Sequence, residues 1–229
     1  MASVAIAMPV KNEEEGLRQL ALEFKQSALS KDPQISIIIV LDSRSSDKSR
    51  EVSKILATTV LDQTDGHGKG KAVRSAIETW SKQPTDYFVM MDADGSYQWE
   101  DVSSLIDALQ LGASVVTGVR LKGIFNRVEG MSYLHHVGNH ALALAASIRN
   151  RKRILDLCSG LWGFEKDALL SLSPTSDGFD LEAELHGRIR AEGIHLEQMP
   201  IKWRQRVGGE AKIRPFIDGM KIFWRIITT

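Results

Sequence analysis

An α/β fold with a central, mostly parallel sheet flanked by helices is predicted for this 229-residue chain, on two observations. Short apolar runs rich in β-branched residues recur through the first half, as they do where strands are buried on both faces of a parallel sheet. Between them lie segments whose apolar residues fall at helical spacing. Strand alternating with helix argues for an open, doubly wound, Rossmann-like sheet.

Residues 4–8, 35–41, 87–91 and 114–119 are the predicted strands. In the first helical segment Leu17, Leu20, Ala21, Phe24 and Ala28 form one stripe, and 47–56, 69–80 and 101–111 behave alike. Asp47 is placed to cap its helix and Gly112 to close the last of these. The second half is less regular: a helix over 133–148 with an Ala/Leu-rich face, a strand-like stretch over 155–164, an amphipathic helix over 179–192, strand character over 195–203 and an aromatic-rich tail over 213–227. No repeat, low-complexity run or Pro/Gly-rich linker divides the chain, which reads as one domain whose carboxyl half builds on the first.

Composition removes several functions. Lys plus Arg is 29 and Asp plus Glu is 29, so the formal net charge is zero and nothing favours general nucleic-acid binding. A single cysteine, Cys158, excludes an intrachain disulfide and suits a reducing compartment; it reads as a quiet buried thiol. The first residues lack the basic region and apolar run of a signal peptide, and no stretch approaches the ~18 uninterrupted apolar residues of a membrane span. A cytoplasmic protein, at most resting on a membrane, is the expectation.

Ligands of open α/β sheets sit where strands end. Four polar clusters fall there: Pro9-Val10-Lys11-Asn12-Glu13, the run from Asp42 to Asp47, Gly66-His67-Gly68-Lys69-Gly70-Lys71 ahead of the third helix, and Asp92-Ala93-Asp94-Gly95. Each alone is compatible with an ordinary loop; together on one rim they favour a shared ligand. Asp92 and Asp94, two residues apart as a strand ends, can present both carboxylates on one side. Such a pair repels itself unless a cation intervenes, and Mg²⁺ or Mn²⁺ suits oxygen ligands completed by water and phosphate. The glycine-lysine segment is not a Walker loop, because Ala72 stands where that motif needs Ser or Thr. Lys69 and Lys71 can still bring a cation and a helix amino end to a phosphate. His135, His136 and His140 lack a cysteine or acidic partner at a zinc spacing and read as surface or acceptor-side histidines.

The ordered set resembles the family-2 glycosyltransferases of the GT-A fold, and most of all the polyprenyl-phosphate sugar synthases. Met8 through Glu13 resembles the family's Pro-x-x-Asn-Glu opening, and Asp42 through Asp47 its Asp-Asp-Gly-Ser-x-Asp loop, with Ser43 and Arg44 in place of the second Asp and the Gly. His67-Gly68-Lys69-Gly70 is similar to its Gly-Lys-Gly segment, Asp92-Ala93-Asp94 to its metal motif, and Thr117-Gly118-Val119-Arg120 to a Gly-x-Arg strand end. Asp156, Ser159, Gly160 and Phe164 follow Asp-x-x-Ser-Gly-x-x-x-Phe; Glu184, Gly193, Pro200-Ile201, Arg206, Gly208 and Lys212 follow the closing pattern. Ser96 and Trp99 depart from the family's Gln and Pro.

The resemblance implies an inverting transfer of a hexose from a nucleotide sugar, of the GDP-mannose or UDP-glucose type, to a polyprenyl (dolichyl) phosphate at the cytoplasmic face of a membrane. Residues 1–120 would be the nucleotide-sugar half, and 121–229 the acceptor-side half with an amphipathic tail. Pro9, Asn12, Glu13 and Asp42 would line the nucleoside pocket. Asp92, Ala93 and Asp94 with Lys69 would hold the donor, and Asp92 and Asp94 the metal, with Gln98 or water for a third ligand. Arg120, Arg206 and Lys212 would grip phosphates. A phosphate acceptor, largely dianionic with its second pKa near ~6, needs positioning more than deprotonation. A sugar or protein hydroxyl would need a base, and Glu182 or Glu184 is then the candidate; Asp156 falls to the sugar or the acceptor side. A sugar-1-phosphate nucleotidyltransferase would carry a Gly-rich signature with Arg after the first strand, which is absent. A silent nucleotide-sugar-binding module is disfavoured by the retained Asp92 and Asp94. In the tail, Ile213, Phe216, Ile217, Met220, Phe223, Trp224 and Ile227 recur at helical spacing among Arg214, Lys221 and Arg225. That pattern suits a helix lying in lipid headgroups or one packed on the domain.

Overall fold

The computed structural model describes residues 2–63, 66–121 and 123–229. Among them β1 (Val4–Val10), β2 (Ile35–Asp42), β3 (Thr59–Gln63), β4 (Tyr87–Met90), β5 (Val115–Val119), β6 (Trp162–Glu165) and β7 (Leu196–Pro200) form one sheet in the order β3-β2-β1-β4-β6-β5-β7. β6 runs antiparallel to both its neighbours, β4 and β5, and the remaining pairs are parallel. The chain leaves β1 toward β2 and β3, then returns to lay β4 on β1's other side. That reversal places a crevice at the carboxyl ends of β1 and β4.

The helices are α1 (Glu14–Gln26), α2 (Ser49–Leu56), α3 (Lys69–Ser81), α4 (Trp99–Gln110), α5 (Tyr133–Asn150), α6 (Lys166–Leu172), α7 (Leu181–Ala191) and α8 (Pro215–Thr228). Alternation along β1 sorts them into layers. Val4, Ile6, Met8 and Val10 pack with Leu17 and Leu20 of α1, Val52 of α2 and Leu105 of α4. Ala5 and Ala7 meet Ala72, Val73 and Ala76 of α3 and Leu185 of α7 on the opposite face. A third cluster, holding Ala143, Ala146, Leu157, Ala183, Ile222 and Ile226, joins α5, α7 and α8.

The α/β architecture is as expected, with differences in the second half. Within 155–164 only Trp162 onward is strand; the preceding residues are irregular because Asp156, Ser159 and Gly160 turn toward the crevice. β3 is an edge strand with only two apolar residues, and α6 is only two turns long, too short to show a helical period. The tail is a helix that packs on the domain along one face and leaves the other exposed. Ile222 and Ile226 are buried on α5 and α7, while Phe216, Met220 and Trp224 are 75%, 75% and 66% exposed. Among the described residues no helix is long and apolar enough to cross a membrane.

Candidate active site

The loops after β1 and β2 are stitched together. Asn12, in the left-handed region at φ 49°, accepts from the Ser46 amide (2.8 Å), and the Glu13 amide donates to Ser49 Oγ (2.8 Å). Asp47 caps twice over, accepting from the Ser49 amide of α2 (3.0 Å) and the Glu14 amide of α1 (3.0 Å). Pro9 precedes this junction within β1, opposite Val40. Asp42, buried at the end of β2, takes both prongs of the Arg44 guanidinium (3.1 and 2.8 Å) and the Arg44 amide (2.9 Å). His67 Nδ1 lies 3.3 Å from the same carboxylate. Arg44 holds the Asp42 carboxyl down to about 2. The departure at position 44 therefore supplies a counter-ion where the family pattern has glycine.

β4 ends at Met90 and the acidic turn follows. Its buried Ala93 lies against Gly16 of α1, where a Cβ would stand 2.5 Å from the Ala93 carbonyl oxygen, so only glycine lets the helix approach. The two carboxylates part company. Asp92 Oδ1 lies 2.6 Å from Lys69 Nζ, which lies 2.6 Å from Glu182 Oε1. Burial disfavours the Lys69 ammonium, but Asp92 and Glu182 outweigh it and hold its pKa above the ordinary lysine value. Burial pushes the Glu182 carboxyl up against the opposing pull of Lys69. Asp94 turns the other way: Oδ1 accepts from the Ser96 amide (3.0 Å), its carbonyl accepts from the Val207 amide (2.9 Å), and its charge bears on Glu13. Strand alternation therefore does not align the two carboxylates on one side, because β4 ends at Met90, before both of them.

Arg120, just past β5, is bound to fully buried Asp156 through Nε (2.8 Å), Nη2 (2.8 Å) and its amide (2.9 Å). Asn139 Nδ2 adds a fourth bond to Asp156 (2.8 Å). Burial opposes the Asp156 carboxylate, but Arg120 wins and holds its pKa low. Beside this pair Tyr97, buried, accepts from the Gly160 amide (2.7 Å), and burial raises its phenol. Burial also pushes the Cys158 thiol up to about 12, consistent with an unreactive thiol.

Opposite Asp94, Glu13 meets Arg206 Nη2 (2.9 and 3.1 Å) and Lys212 Nζ (2.5 Å). Burial nonetheless raises the Glu13 carboxyl above its usual value, more than these cations lower it. Arg120, Arg206 and Lys212 are thus at the crevice, each already paired with a carboxylate. Glu184 is not: its carboxylate faces the 175–176 loop and accepts from Thr175 N and Oγ1, the Ser176 amide and Arg188. Neighbouring Glu182 occupies the position by Asp92 instead. Gln98 is likewise turned away, donating to the Lys202 carbonyl (2.8 Å), and Trp99 is core, donating to the Leu20 carbonyl (3.0 Å). His136 bonds the Ile124 carbonyl and packs edge-on against His140. Tyr97 and Asn139 escaped sequence reasoning, since neither belongs to a motif; a polar aromatic three residues after Asp94 was the available signal.

The donor set suits a hard divalent cation. Asp92 and Asp94 offer carboxylate oxygens, and among the described residues no third His, Cys, Asp or Glu joins them in a metal-holding group. Mg²⁺ or Mn²⁺ bound by one or two carboxylates keeps its remaining positions for phosphate oxygens and water.

Residues 5–172 match the glycosyl transferase family 2 model. Glycosyltransferase AglJ of Haloferax volcanii is 30% identical over 96% of this chain and 70% of its own length. A dolichyl-phosphate hexose transferase of the same organism is 27% identical over 96% of this chain and 90% of its own. The crystal structure of glucosyl-3-phosphoglycerate synthase from Mycobacterium tuberculosis with Mn²⁺, UDP and phosphoglyceric acid superposes at a TM-score of 0.73. It is 17% identical and covers 99% of this chain and 76% of that one, a likeness of fold. The chain belongs to glycosyl transferase family 2 and is a glycosyltransferase of the GT-A fold.

Proposed function

We propose that the enzyme transfers a hexose from a nucleotide sugar to a polyprenyl (dolichyl) phosphate, with inversion, while touching the cytoplasmic face of a membrane peripherally. The observation that carries the acceptor is a groove of about 730 Å³ beginning one residue beyond Arg120. Leu121, Ile124, Leu144 and Ile148 give it an apolar wall, and the exposed Arg151 and Arg153 also line it. An apolar chain bearing one phosphate matches that division. The 27% identical dolichyl-phosphate hexose transferase, aligned over most of both chains, supports the same acceptor.

On the donor side Pro9, Asn12, Glu13 and Asp42 are assigned to the nucleoside, and Lys69, Asp92, Ala93 and Asp94 to the diphosphate. Mg²⁺ or Mn²⁺ held by Asp92 and Asp94 would neutralise charge on the departing nucleoside diphosphate. Lys69 and Arg120, fixed by buried carboxylates, supply positive charge that need not reorganise as the bond breaks, which is where such sites gain most. Arg206 and Lys212 add cations from the segment following β7. A phosphate acceptor asks no base of the protein. A hydroxyl acceptor is the second reading, favoured by Glu182, whose buried, raised carboxyl stands beside Asp92.

The test is a transfer assay with labelled GDP-mannose and UDP-glucose, Mn²⁺ or Mg²⁺, and a short polyprenyl phosphate. Label should enter the organic phase and depend on the metal. Label reaching only sugar or peptide hydroxyls, with loss in Glu182→Gln, would replace this reading with the second.

A further inference from the structure

Between β7 and α8, residues 201–214 form neither helix nor strand and run back over the acidic turn. This strap is fastened through its own amides, Val207 donating to the Asp94 carbonyl (2.9 Å) and Gly209 to the Glu15 side-chain carboxylate (3.1 Å). Arg204 anchors its beginning, with two guanidinium nitrogens on two oxygens of Glu23 at 2.7 and 2.8 Å. Two further cations hang from it, and both reach one carboxylate. Lys212 Nζ meets Glu13 Oε1 (2.5 Å) and the Asn12 carbonyl (2.9 Å), and Arg206 meets the same Glu13.

The way Arg206 pairs distinguishes it from the other arginines of this region. Arg120 and Arg204 each use two nitrogens on two carboxylate oxygens. Arg206 spends a single nitrogen, Nη2, on both oxygens of Glu13 and turns Nε to the Gly208 carbonyl (3.1 Å). A fork-to-fork pair is the strong, geometrically specific one; a single shared nitrogen is weaker and open to exchange. Both cations also lie beside Asp94, whose charge bears on Glu13 and where a metal-bound diphosphate is assigned.

We propose that Glu13 is a positioning residue: it stores Arg206 and Lys212 next to the acidic turn, and the donor's diphosphate takes both cations from it on binding. This rests on the reading that those two cations meet phosphate. It differs from a purely nucleoside-lining role for Glu13 in a measurable way. A residue that competes with phosphate for its cations weakens phosphate binding, whereas a nucleoside ligand leaves a nucleoside-free phosphate indifferent.

Magnesium pyrophosphate is the probe, because it lacks base, ribose and sugar and requires no turnover. Glu13→Gln keeps the shape and removes the charge, and it should bind the probe roughly fivefold to tenfold more tightly by calorimetry, as expected when one charge-assisted competitor is deleted. In an Arg206→Ala, Lys212→Ala background the same substitution should change nothing. Unchanged or weakened binding in Glu13→Gln overturns the proposal, as does a gain that persists in that background. Hydrogen exchange on the wild type decides independently if the variant fails to fold. The probe should change protection at the Val207 and Gly209 amides, and protection unaltered at saturating pyrophosphate overturns the exchange of partners. Failure to glycosylate a polyprenyl phosphate would leave these outcomes untouched.

Discussion

The crevice at the ends of β1, β2 and β4 and the outer surface built by α5 and α8 solve opposite problems. In the crevice the cations of the site are held by carboxylates of their own chain: Lys69 by Asp92 and Glu182, Arg120 by Asp156, Arg44 by Asp42, and Arg206 and Lys212 by Glu13. On the outer surface apolar side chains lack any such partner, with Tyr133 and Ile148 of α5 each 72% exposed and Phe216 of α8 75%. A charge-paired pocket is preorganised for a ligand that exchanges with its own ions, and its stability is internal. An uncovered apolar face with the exposed Lys221 among it has the chemistry of a surface completed by something outside the chain.

The largest effect separates the two carboxylates of the acidic turn. Asp94→Ala should lower turnover by about a thousandfold or more, in the range for removal of a metal ligand or charge stabiliser, with the thermal midpoint nearly unchanged. Asp92→Ala should lose activity and midpoint together, because Lys69 is left buried with Glu182 alone. Nucleoside diphosphate release and thermal melts on the same preparations check this. Full turnover in excess chelator would remove the metal from the account.

Next in size is the pair behind β5. Asp156→Asn strips the carboxylate from a buried guanidinium, and breaking a buried ion pair from one side costs about 3–5 kcal/mol. Urea unfolding should show it. A loss under 1 kcal/mol would mean that Arg120 reaches water and that the crevice is less preorganised than its geometry implies.

Those two predictions concern residues that the sequence announced, and the reason is local. Asp92 and Asp94 lie just past the end of β4 and Arg120 just past β5, while Asp156, in the irregular stretch before β6, is announced by a short motif that resembles the family's. Glu182 and Glu184 show where that stops. Both sit on α7, two residues apart, and nothing in the run Leu181–Leu185 says which turns toward Lys69 and which binds the 175–176 loop. Pairing across 199 positions, as between Lys212 and Glu13, is equally invisible, since a motif reports a residue's presence and not its counter-ion. The tail shows the same limit at a larger scale. Its stripe was legible, but the division between buried Ile222 and Ile226 and exposed Phe216, Met220 and Trp224 depends on where α5 and α7 lie.

That division is the third test. Replacing Phe216, Met220 and Trp224 together by Ser should reduce co-sedimentation with anionic vesicles about tenfold or more, since each apolar side chain withdrawn from the interface costs of the order of 1 kcal/mol. The thermal midpoint should hold. Ile226→Ala should do the reverse, lowering stability by roughly 2 kcal/mol or more through the cavity it leaves, with vesicle binding retained. A triple variant that melts early would show that the exposed face is covered within the folded protein and would erase the contrast between the two regions.

The smallest expected effect asks whether charge pairing on the crevice side contributes stability as well as arrangement. Asp42 has its carboxyl pKa lowered from 3.8 to about 2, chiefly by hydrogen bonds from the Arg44 guanidinium. A depressed carboxyl favours the folded state above the unfolded pKa, where both states are ionised and only the folded one has the partner. As pH falls from about 4 the unfolded chain binds its proton first, so this stability drains away and is gone below about 2. The full shift overstates the gain, because the Arg44 side chain is 51% exposed and screened, and about 1 kcal/mol is the expected size. Denaturant unfolding of wild type and Asp42→Asn at pH 7, 4, 3 and 2 should give a gap that is constant above pH 4 and closes by pH 2. A gap that persists at pH 2 would reflect the shape of the site rather than its charge. No gap at pH 7 would mean that Arg44 orders the loop after β2 without adding to the stability of the fold.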